Sequence, residues 1–234
     1  MKWNRRTFTS SGLTQFPAGP YLPKPKERKV YVTSSGFDDI GQILTSMNVV
    51  FEPFCGKFDC AVLFINCGTG SHIDSVGLAD FVHKGGCLYA SDHADRFVAE
   101  AFPGLIDFGG HIGASGQVET EVLDAELRDV VGPRLTVEFD MSDWATIKSC
   151  KGEVLLKGRT GSYANQPIMV YAEYGLGAVF YSSFHNKAQT SVQERGLLQL
   201  LVLKQFGVSA QSSIERAGKS LGIDLASLKR NFQM

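Results

Sequence analysis

The sequence predicts an α/β domain in which helices cover both faces of a mostly parallel β-sheet. Three observations support this prediction. Short apolar runs alternate with segments of helical periodicity, several runs are apolar at every position, and polar clusters directly follow those runs. Continuous apolar runs are typical of strands buried on both faces. Their alternation with helices at short spacing is typical of a doubly wound sheet with a parallel strand arrangement.

The first part of this domain consists of alternating strands and helices. Asp38 or Asp39 is a suitable N-cap for the first helix, and Gly85 and Gly86 end a later one. The predicted elements are, in chain order, a strand at 30–32, a helix from Asp38 or Asp39 to about Asn48, strands at 49–51 and 61–65, a helix at about 73–83, and a strand at 87–90.

The middle of the chain, about 108–170, is rich in glycine and then β-prone. We interpret it as an antiparallel or irregular insertion, not as a separate domain. Its predicted strands lie at 118–123, 135–139 and 154–157. The chain returns to the sheet as a hairpin at 169–174 and 178–182, followed by a helix at about 189–206 and two short helices at 213–231 that are divided at Gly222.

These elements predict three parts of the chain. Residues 1–28 form an extended arm that is basic and rich in proline, and repeated prolines favour extended backbone. Residues 29–206 form the α/β domain, and residues 207–234 form a C-terminal helical extension.

The composition excludes several classes of protein. Of 234 residues, 44% are hydrophobic and 20% are charged, and a net charge of −1 argues against a surface devoted to nucleic acid. No stretch approaches the roughly 20 apolar residues that span a bilayer. Five cysteines without a secretion signal predict reduced thiols. We therefore expect a soluble, cytoplasmic protein, and the sequence makes no prediction of its oligomeric state.

Polar clusters follow three of the predicted strands. They are Ser34-Ser35, Asn66-Cys67-Gly68 and Ser91-Asp92-His93. In open α/β sheets, ligands bind at the carboxyl ends of the strands, where the loops present polar groups. The sequence therefore predicts a binding site at this edge of the sheet.

Two motifs resemble the class I glutamine amidotransferase superfamily. The stretch 81–93 (FVHKGGCLYASDH) resembles its nucleophile-elbow region, where a buried strand ends in a sharp turn into a helix. The stretch 175–186 (GLGAVFYSSFHN) resembles the closing strand, which delivers a histidine. Its Gly-x-Gly-x-Val-Phe-Tyr pattern is most similar to the trehalose-utilisation (ThuA-like) branch. The resemblance covers about 29–206 and implies a flavodoxin-like fold.

The sequence departs from that superfamily at the nucleophile. The amidotransferases attack a carboxamide with a cysteine at the elbow, whereas the alignment places Asp92 there, or Ser91 or His93 after a shift of one residue. Cys87 begins the strand and is expected to be buried. Cys67 follows another strand and is the better thiol candidate, or else a small buried hydrophobic residue. Glutaminase activity is not predicted.

Asp92, His93 and His185 are the predicted catalytic residues. A carboxylate and an imidazole within hydrogen-bonding reach can activate water. The predicted substrate contacts are Ser35, Asn66, Cys67 and Ser91.

Two other interpretations of these residues remain open. Asp92, His93 and His185, together with His111, can also hold a divalent metal. In a purely structural interpretation, Asp92 caps the following helix and His93 lies in its first turn.

Two functions are consistent with the sequence. In the first, the protein binds a small polar, sugar-like metabolite and hydrolyses or isomerises it without an organic cofactor, and a divalent metal is an open alternative. In the second, it is a catalytically inactive module that binds a protein partner through the inherited pocket or the terminal extensions.

Overall fold

A computed structural model describes residues 29–189 and 191–232 of the chain. The predicted arm at 1–28 lies outside these residues. No helix within these two ranges is long and apolar enough to cross a membrane.

Strands and helices alternate through the first third of the described chain. The strands are β1 (Val30–Val32), β2 (Glu52–Pro53), β3 (Val62–Ile65), β4 (Cys87–Ser91), β5 (Ile106–Gly113), β6 (Gly116–Val122), β7 (Arg134–Phe139), β8 (Trp144–Cys150), β9 (Glu153–Gly158), β10 (Pro167–Tyr174) and β11 (Gly177–Ser182). The helices are α1 (Ile40–Ser46), α2 (Ser75–His83), α3 (Asp95–Ala101), α4 (Ala125–Val131), α5 (Val192–Ser209), α6 (Ile214–Leu221) and α7 (Leu225–Asn231).

Within the described residues, nine strands form one sheet in the order β2-β1-β3-β4-β11-β10-β9-β6-β7. The strands from β2 to β11 in this order pair in parallel. From β11 to β7 the pairs are antiparallel. The remaining strands, β5 and β8, form a separate antiparallel pair. The β-rich insertion thus widens the parallel sheet, and the predicted fold class is confirmed.

The sheet is covered on both faces. One apolar cluster joins Leu44 of α1, Leu127 of α4 and Leu200 of α5 to the sheet. The other joins Leu78 of α2 and Val98 of α3 to the opposite face. This is the doubly wound arrangement, and it explains why β3 and β4 are buried at every position.

The predicted helices are confirmed, with ends that differ by a few residues. Asp39 caps α1 by accepting a hydrogen bond from the Gly41 amide. Gly222 adopts a left-handed conformation between α6 and α7, as expected at a helix end. Helix α4 lies in the segment that we predicted as β-rich, and the sequence pattern did not reveal it.

The predicted strand at 49–51 is wrong. The amide of Val49 donates to the Leu44 carbonyl, and Asn48 has a positive φ of 55°, so the chain is still turning out of α1 when it reaches Val49. The chain reaches the sheet only at Glu52, which pairs with Tyr31 of β1.

Candidate functional site

Asp92 lies at the junction between β4 and a short 3-10 helix, Asp92–Ala94, that leads into α3. Its φ is +41°, a left-handed conformation that is uncommon for residues other than glycine. The Tyr181 hydroxyl donates to its carbonyl over 2.7 Å, and the Ala145 amide donates to its Oδ1 over 2.7 Å. Neither the 3-10 helix nor α3 has a side-chain cap, so the interpretation of Asp92 as a helix cap is wrong.

His185 lies between two carboxylates. Its Nδ1 is 2.7 Å from Oδ1 of Asp140, and its Nε2 is 3.0 Å from Oδ2 of Asp92. The first contact is a hydrogen bond. The second has the distance of an ion pair, but Nε2 is buried and makes no hydrogen bond of suitable direction. The three side chains form a line in which the imidazole connects a buried carboxylate to one that is 33% exposed.

The charge of His185 is set by these neighbours. Burial lowers the pKa of the imidazole, but the Asp92 carboxylate and the Cys67 thiol outweigh burial and raise the pKa to about 11. In the absence of another cation, the imidazole is therefore protonated at neutral pH and balances the nearby negative charge.

Cys67 places its sulfur against the same carboxylate. Its Sγ lies 3.5 Å from Oδ2 of Asp92, and the side chain is fully buried. Burial raises the pKa of this thiol above its ordinary value, so the free thiol is a poor nucleophile. Cys87 is buried as expected, and burial raises its pKa as well.

Ser91 connects the loops beneath this cluster. Its hydroxyl donates to Oδ2 of Asp38 over 2.7 Å and accepts from the Cys67 amide over 3.1 Å. Asp38 also accepts from Nδ2 of Asn186 at 2.6 Å and from the Lys187 amide at 3.1 Å. The network connects the loops after β3, β4 and β11 to Asp38. It thereby fixes the relative positions of Cys67, Asp92 and His185, which these loops carry.

Asn66 and Ser35, two predicted substrate contacts, occupy different environments. Asn66 is buried, and its side-chain amide pairs with the backbone at Ile40 and Thr33, each at 3.0 Å. Ser35 is exposed and lines a cavity of about 640 Å³ at the carboxyl end of β1. The cavity lining includes Ser34, Ser35, Asp39, Gln42, Phe51 and Phe54.

His93 and His111 lie next to each other at the solvent-exposed edge of the site, and not beside His185. Their rings stack with centroids 4.2 Å apart. The Nε2 atom of His93 is 2.8 Å from the Asp143 carbonyl oxygen and 3.7 Å from Oδ2 of Asp92. The Nε2 atom of His111 is 3.0 Å from Oδ2 of Asp95. The structure therefore brings together Asp92, His185 and Cys67, with His93 at their edge. His72 and His83 are exposed elsewhere.

Sequence reasoning missed Asp140 and Asp38 as members of the site. Asp140 directly follows β7, so a polar residue after a predicted strand was a usable indication. That strand is antiparallel to its neighbour β6 and belongs to the insertion, where the rule about carboxyl ends does not apply. Asp38 was identified only as a helix cap.

No protein-family model and no curated protein matches the sequence. Among solved structures, a glutamine amidotransferase from Thermotoga maritima superposes with a TM-score of 0.50 at 9% identity, over 88% of this chain and 95% of that chain. A Thermoplasma acidophilum protein described as a GMP synthase subunit superposes with a TM-score of 0.53 at 13% identity, over 79% and 95%.

A β-galactosidase from Bacillus circulans sp. alkalophilus also superposes, with a TM-score of 0.52 at 12% identity. This match covers 85% of the present chain but 32% of the enzyme. At such identities the likeness concerns the fold alone. The chain has the α/β fold of glutamine amidotransferases, which also occurs as part of a larger protein.

Proposed function

We propose that the protein binds a small polar, sugar-like metabolite and hydrolyses or isomerises it, with Asp92 in the place of the amidotransferase cysteine. The observation that supports this proposal is the line of Asp92, His185 and Asp140, with contacts of 3.0 and 2.7 Å. An acidic or nucleophilic side chain, a histidine and an orienting carboxylate are the arrangement from which enzymes build acid–base and nucleophilic catalysis. The ThuA-like branch remains a prediction from the two motifs.

The three side chains have distinct roles in this proposal. Asp92 accepts a proton from the attacking water, or from a carbon-bound hydrogen of the substrate in an isomerisation. His185 donates a proton to the leaving group or to the developing hydroxyl. Asp140 accepts the Nδ1 hydrogen bond and thereby keeps the imidazole oriented, a positioning role. The positive φ of Asp92 is consistent with this role, because backbone strain is concentrated at functional sites.

The nature of the substrate is inferred from the edge of the sheet. The cavity beside Ser35, which Asp92 and His185 do not line, combines hydroxyl, amide and carboxylate groups with the rings of Phe51 and Phe54. Its volume of about 640 Å³ is within the roughly 300–1,000 Å³ of typical small-molecule sites. Hydrogen-bonding groups next to aromatic rings suit a polyhydroxylated ligand, which has both polar edges and apolar faces.

The test is untargeted mass spectrometry of a metabolite extract incubated with three proteins. These are the wild type, the double variant Asp92→Asn/His185→Gln, and the matched control Asp107→Asn/His72→Gln, whose two positions are exposed. We expect a metabolite that is converted by the wild type and by the control and not by the site variant. Circular dichroism and thermal melting establish that all three proteins are folded.

The second candidate, a protein-binding module without catalysis, is favoured by one observation. Asp92 and His185 are only 3% and 4% exposed, so a substrate can reach them only if covering residues move. If no metabolite is converted or retained by the folded wild type, with several divalent metals supplied, this candidate replaces the first. The same result would remove the catalytic roles assigned to Asp92 and His185.

A further inference from the structure

Three side chains with different metal-binding atoms converge at the carboxyl ends of three neighbouring strands. Cys67 follows β3, Asp92 follows β4, and His185 follows β11. Their Sγ, carboxylate oxygen and imidazole nitrogen all lie within 4.8 Å of one another. Among the residues that the structure describes, no other three His, Cys, Asp or Glu side chains bring ligand atoms so close together.

Two of the three separations are close to the edges of a coordination tetrahedron. Bonds of about 2.0 Å to oxygen, 2.05 Å to nitrogen and 2.3 Å to sulfur place the oxygen about 3.3 Å from the nitrogen and about 3.5 Å from the sulfur. The observed distances are 3.0 Å from Oδ2 of Asp92 to Nε2 of His185 and 3.5 Å to Sγ of Cys67. Shifts of a few tenths of an ångström would bring these two edges to the values for a zinc-sized ion, and Sγ of Cys67 and Nε2 of His185 lie within 4.8 Å of each other.

Nε2 of His185, which faces the space between the three ligand atoms, makes no hydrogen bond. His185 is 4% exposed, and its Nε2 is among the few buried polar side-chain atoms of the described chain that make no hydrogen bond. Its 3.0 Å contact with Oδ2 of Asp92 has the distance of an ion pair but not the direction of a hydrogen bond. Buried polar atoms almost always make hydrogen bonds, so a bound ion would satisfy a nitrogen that the protein leaves without one.

The oxygen and nitrogen ligands are each oriented by a hydrogen bond to a residue that does not bind the ion. Asp140 accepts from Nδ1 of His185 at 2.7 Å, which fixes the tautomer and leaves Nε2 free to bind. The Ala145 amide donates to Oδ1 of Asp92 at 2.7 Å, which leaves Oδ2 directed at the cluster. Carboxylate–histidine–metal arrangements are the usual outer support of protein metal sites.

We propose that Cys67, Asp92 and His185 bind one divalent transition-metal ion, with a preference for zinc, and that they leave a fourth coordination position open to water. A thiolate and a carboxylate neutralise the double charge of the ion within a buried site. The sulfur and nitrogen ligands exclude magnesium and calcium, which take oxygen ligands. On binding, the Cys67 thiol and the protonated His185 imidazole each release one proton to solvent.

This ligand set differs from the one expected from the sequence. It retains Asp92 and His185, adds Cys67, and leaves out His93 and His111, whose Nε2 atoms contact Asp143 and Asp95. Metal binding does not depend on the proposed function. With an ion bound, Asp92 and His185 would be ligands and would not act as the base and the acid of the proposed function. The ion would then supply a Lewis acid for the same substrate, and this role rests on the proposed function.

The test is titration of the chelator-treated, full-length protein with cobalt(II) alone. We expect one ion per chain, intense visible absorption from tetrahedral cobalt, and a near-ultraviolet charge-transfer band from the Cys67 thiolate. Zinc should displace the cobalt and remove both features. Cys67→Ser should abolish the charge-transfer band, while the matched control Cys55→Ser, at an exposed thiol, should keep it.

A second variant covers the case in which Cys67→Ser does not fold. Asp140→Asn changes a partly exposed residue that supports His185 without binding the ion, and we expect it to weaken cobalt affinity by about 10- to 100-fold. The control His111→Gln should leave the affinity unchanged. Absence of stoichiometric binding by the folded wild type would overturn the inference, as would an Asp140→Asn affinity equal to that of the wild type.

The two proposals fail in distinguishable ways. Stoichiometric metal binding without conversion of any metabolite would retain the metal site and reject the catalytic function. Conversion that persists in fully metal-free protein, with no cobalt bound on titration, would reject the metal site and retain the function.

Discussion

At the residue scale, the conformation of Asp92 decides what the site can do. With φ at +41°, its side chain turns away from the following helix and towards His185. A non-glycine residue in this region costs about 1 kcal/mol or more. Hydrogen bonds from Tyr181 and Ala145 offset that cost. Asparagine tolerates the same conformation, which is why Asp92→Asn is a suitable variant for removing the charge while keeping the backbone.

Gly36, in the loop after β1, allows a close approach between two loops, and its role can be measured. A Cβ on Gly36 would overlap the backbone carbonyls of Gly68 and Cys67, so the two loops touch through their main chains. We expect Gly36→Ala to lower the free energy of unfolding by about 1–3 kcal/mol, because backbone must move to relieve the overlap. Urea denaturation measures this change.

Gly70 supplies the matched control for that variant. It lies in the same loop region, and a Cβ there would meet nothing within 4 Å. Gly70→Ala should therefore change the free energy of unfolding by no more than about 0.5 kcal/mol. Equal effects of the two variants would show that the loops do not depend on the close approach at Gly36.

At the scale of elements, the site depends on strands that are far apart in the sequence and adjacent in the sheet. β3 and β11 both pair with β4 in parallel, so their carboxyl ends meet at one edge. The insertion adds β7, which is directly followed by Asp140, and β8, whose Ala145 amide donates to Asp92. The parallel strands thus supply the ligands, and the insertion supplies their support.

A buried ion pair joins helix α5 to the N-terminus of α4. Nζ of Lys204 in α5 lies 2.8 Å from Asp124, the N-cap of α4, and 3.0 Å from Glu126. We expect Lys204→Met to lower the free energy of unfolding by about 3–5 kcal/mol, because it leaves the Asp124 carboxylate buried without its cation. Lys219→Met, at an exposed pair with Glu215, should leave the free energy of unfolding nearly unchanged.

The pH dependence of this effect follows from the pKa of Lys204. Burial lowers the pKa, but Asp124 and Glu126 outweigh burial, and the pKa is raised above its ordinary 10.5. The contribution of the pair is therefore fully present below 10.5 and is lost only as the pH rises through the raised value. The cost of Lys204→Met should be the same at pH 7 and pH 9. A cost that shrinks across this interval would contradict the assignment.

At the scale of the whole molecule, the last two helices belong to the main core. Ile214 of α6 and Leu228 of α7 are 4% and 7% exposed, and both join the apolar cluster that contains α1, α4 and α5. The segment 207–234 was predicted as an extension of the domain. Its helices pack against α4 and α5, so a role in stability is expected for them.

Removal of these helices tests that role. Deleting residues 213–234 should destabilise the domain by about 3–6 kcal/mol, because it removes the buried side chains of Ile214 and Leu228 and exposes the apolar side chains that they cover. Thermal melting and chemical denaturation measure the effect. The milder variant Ile214→Ala should cost about 2–4 kcal/mol. Arg216→Ala, at an exposed position of the same helix, should be nearly neutral, and a fully stable truncated protein would refute the prediction.

The sequence by itself determined the alternation of strands and helices, because apolar runs and helical periodicity are local properties. It also placed Asp92 at the carboxyl edge of the sheet, where the ends of parallel strands meet. His185 was added by the resemblance of 175–186 to the closing strand of the amidotransferases. The sequence did not identify α4, and it placed β2 three residues too early, because the end of α1 was set by Asn48 and Val49.

Only the tertiary structure decided which side chains surround Asp92. Cys67 and Asp140 approach His185 and Asp92, while His93 turns to the Asp143 carbonyl. These choices depend on the left-handed conformation of Asp92 and on the position of the antiparallel insertion beside the sheet. Both result from contacts between segments distant in sequence, which periodicity and spacing along the chain do not encode.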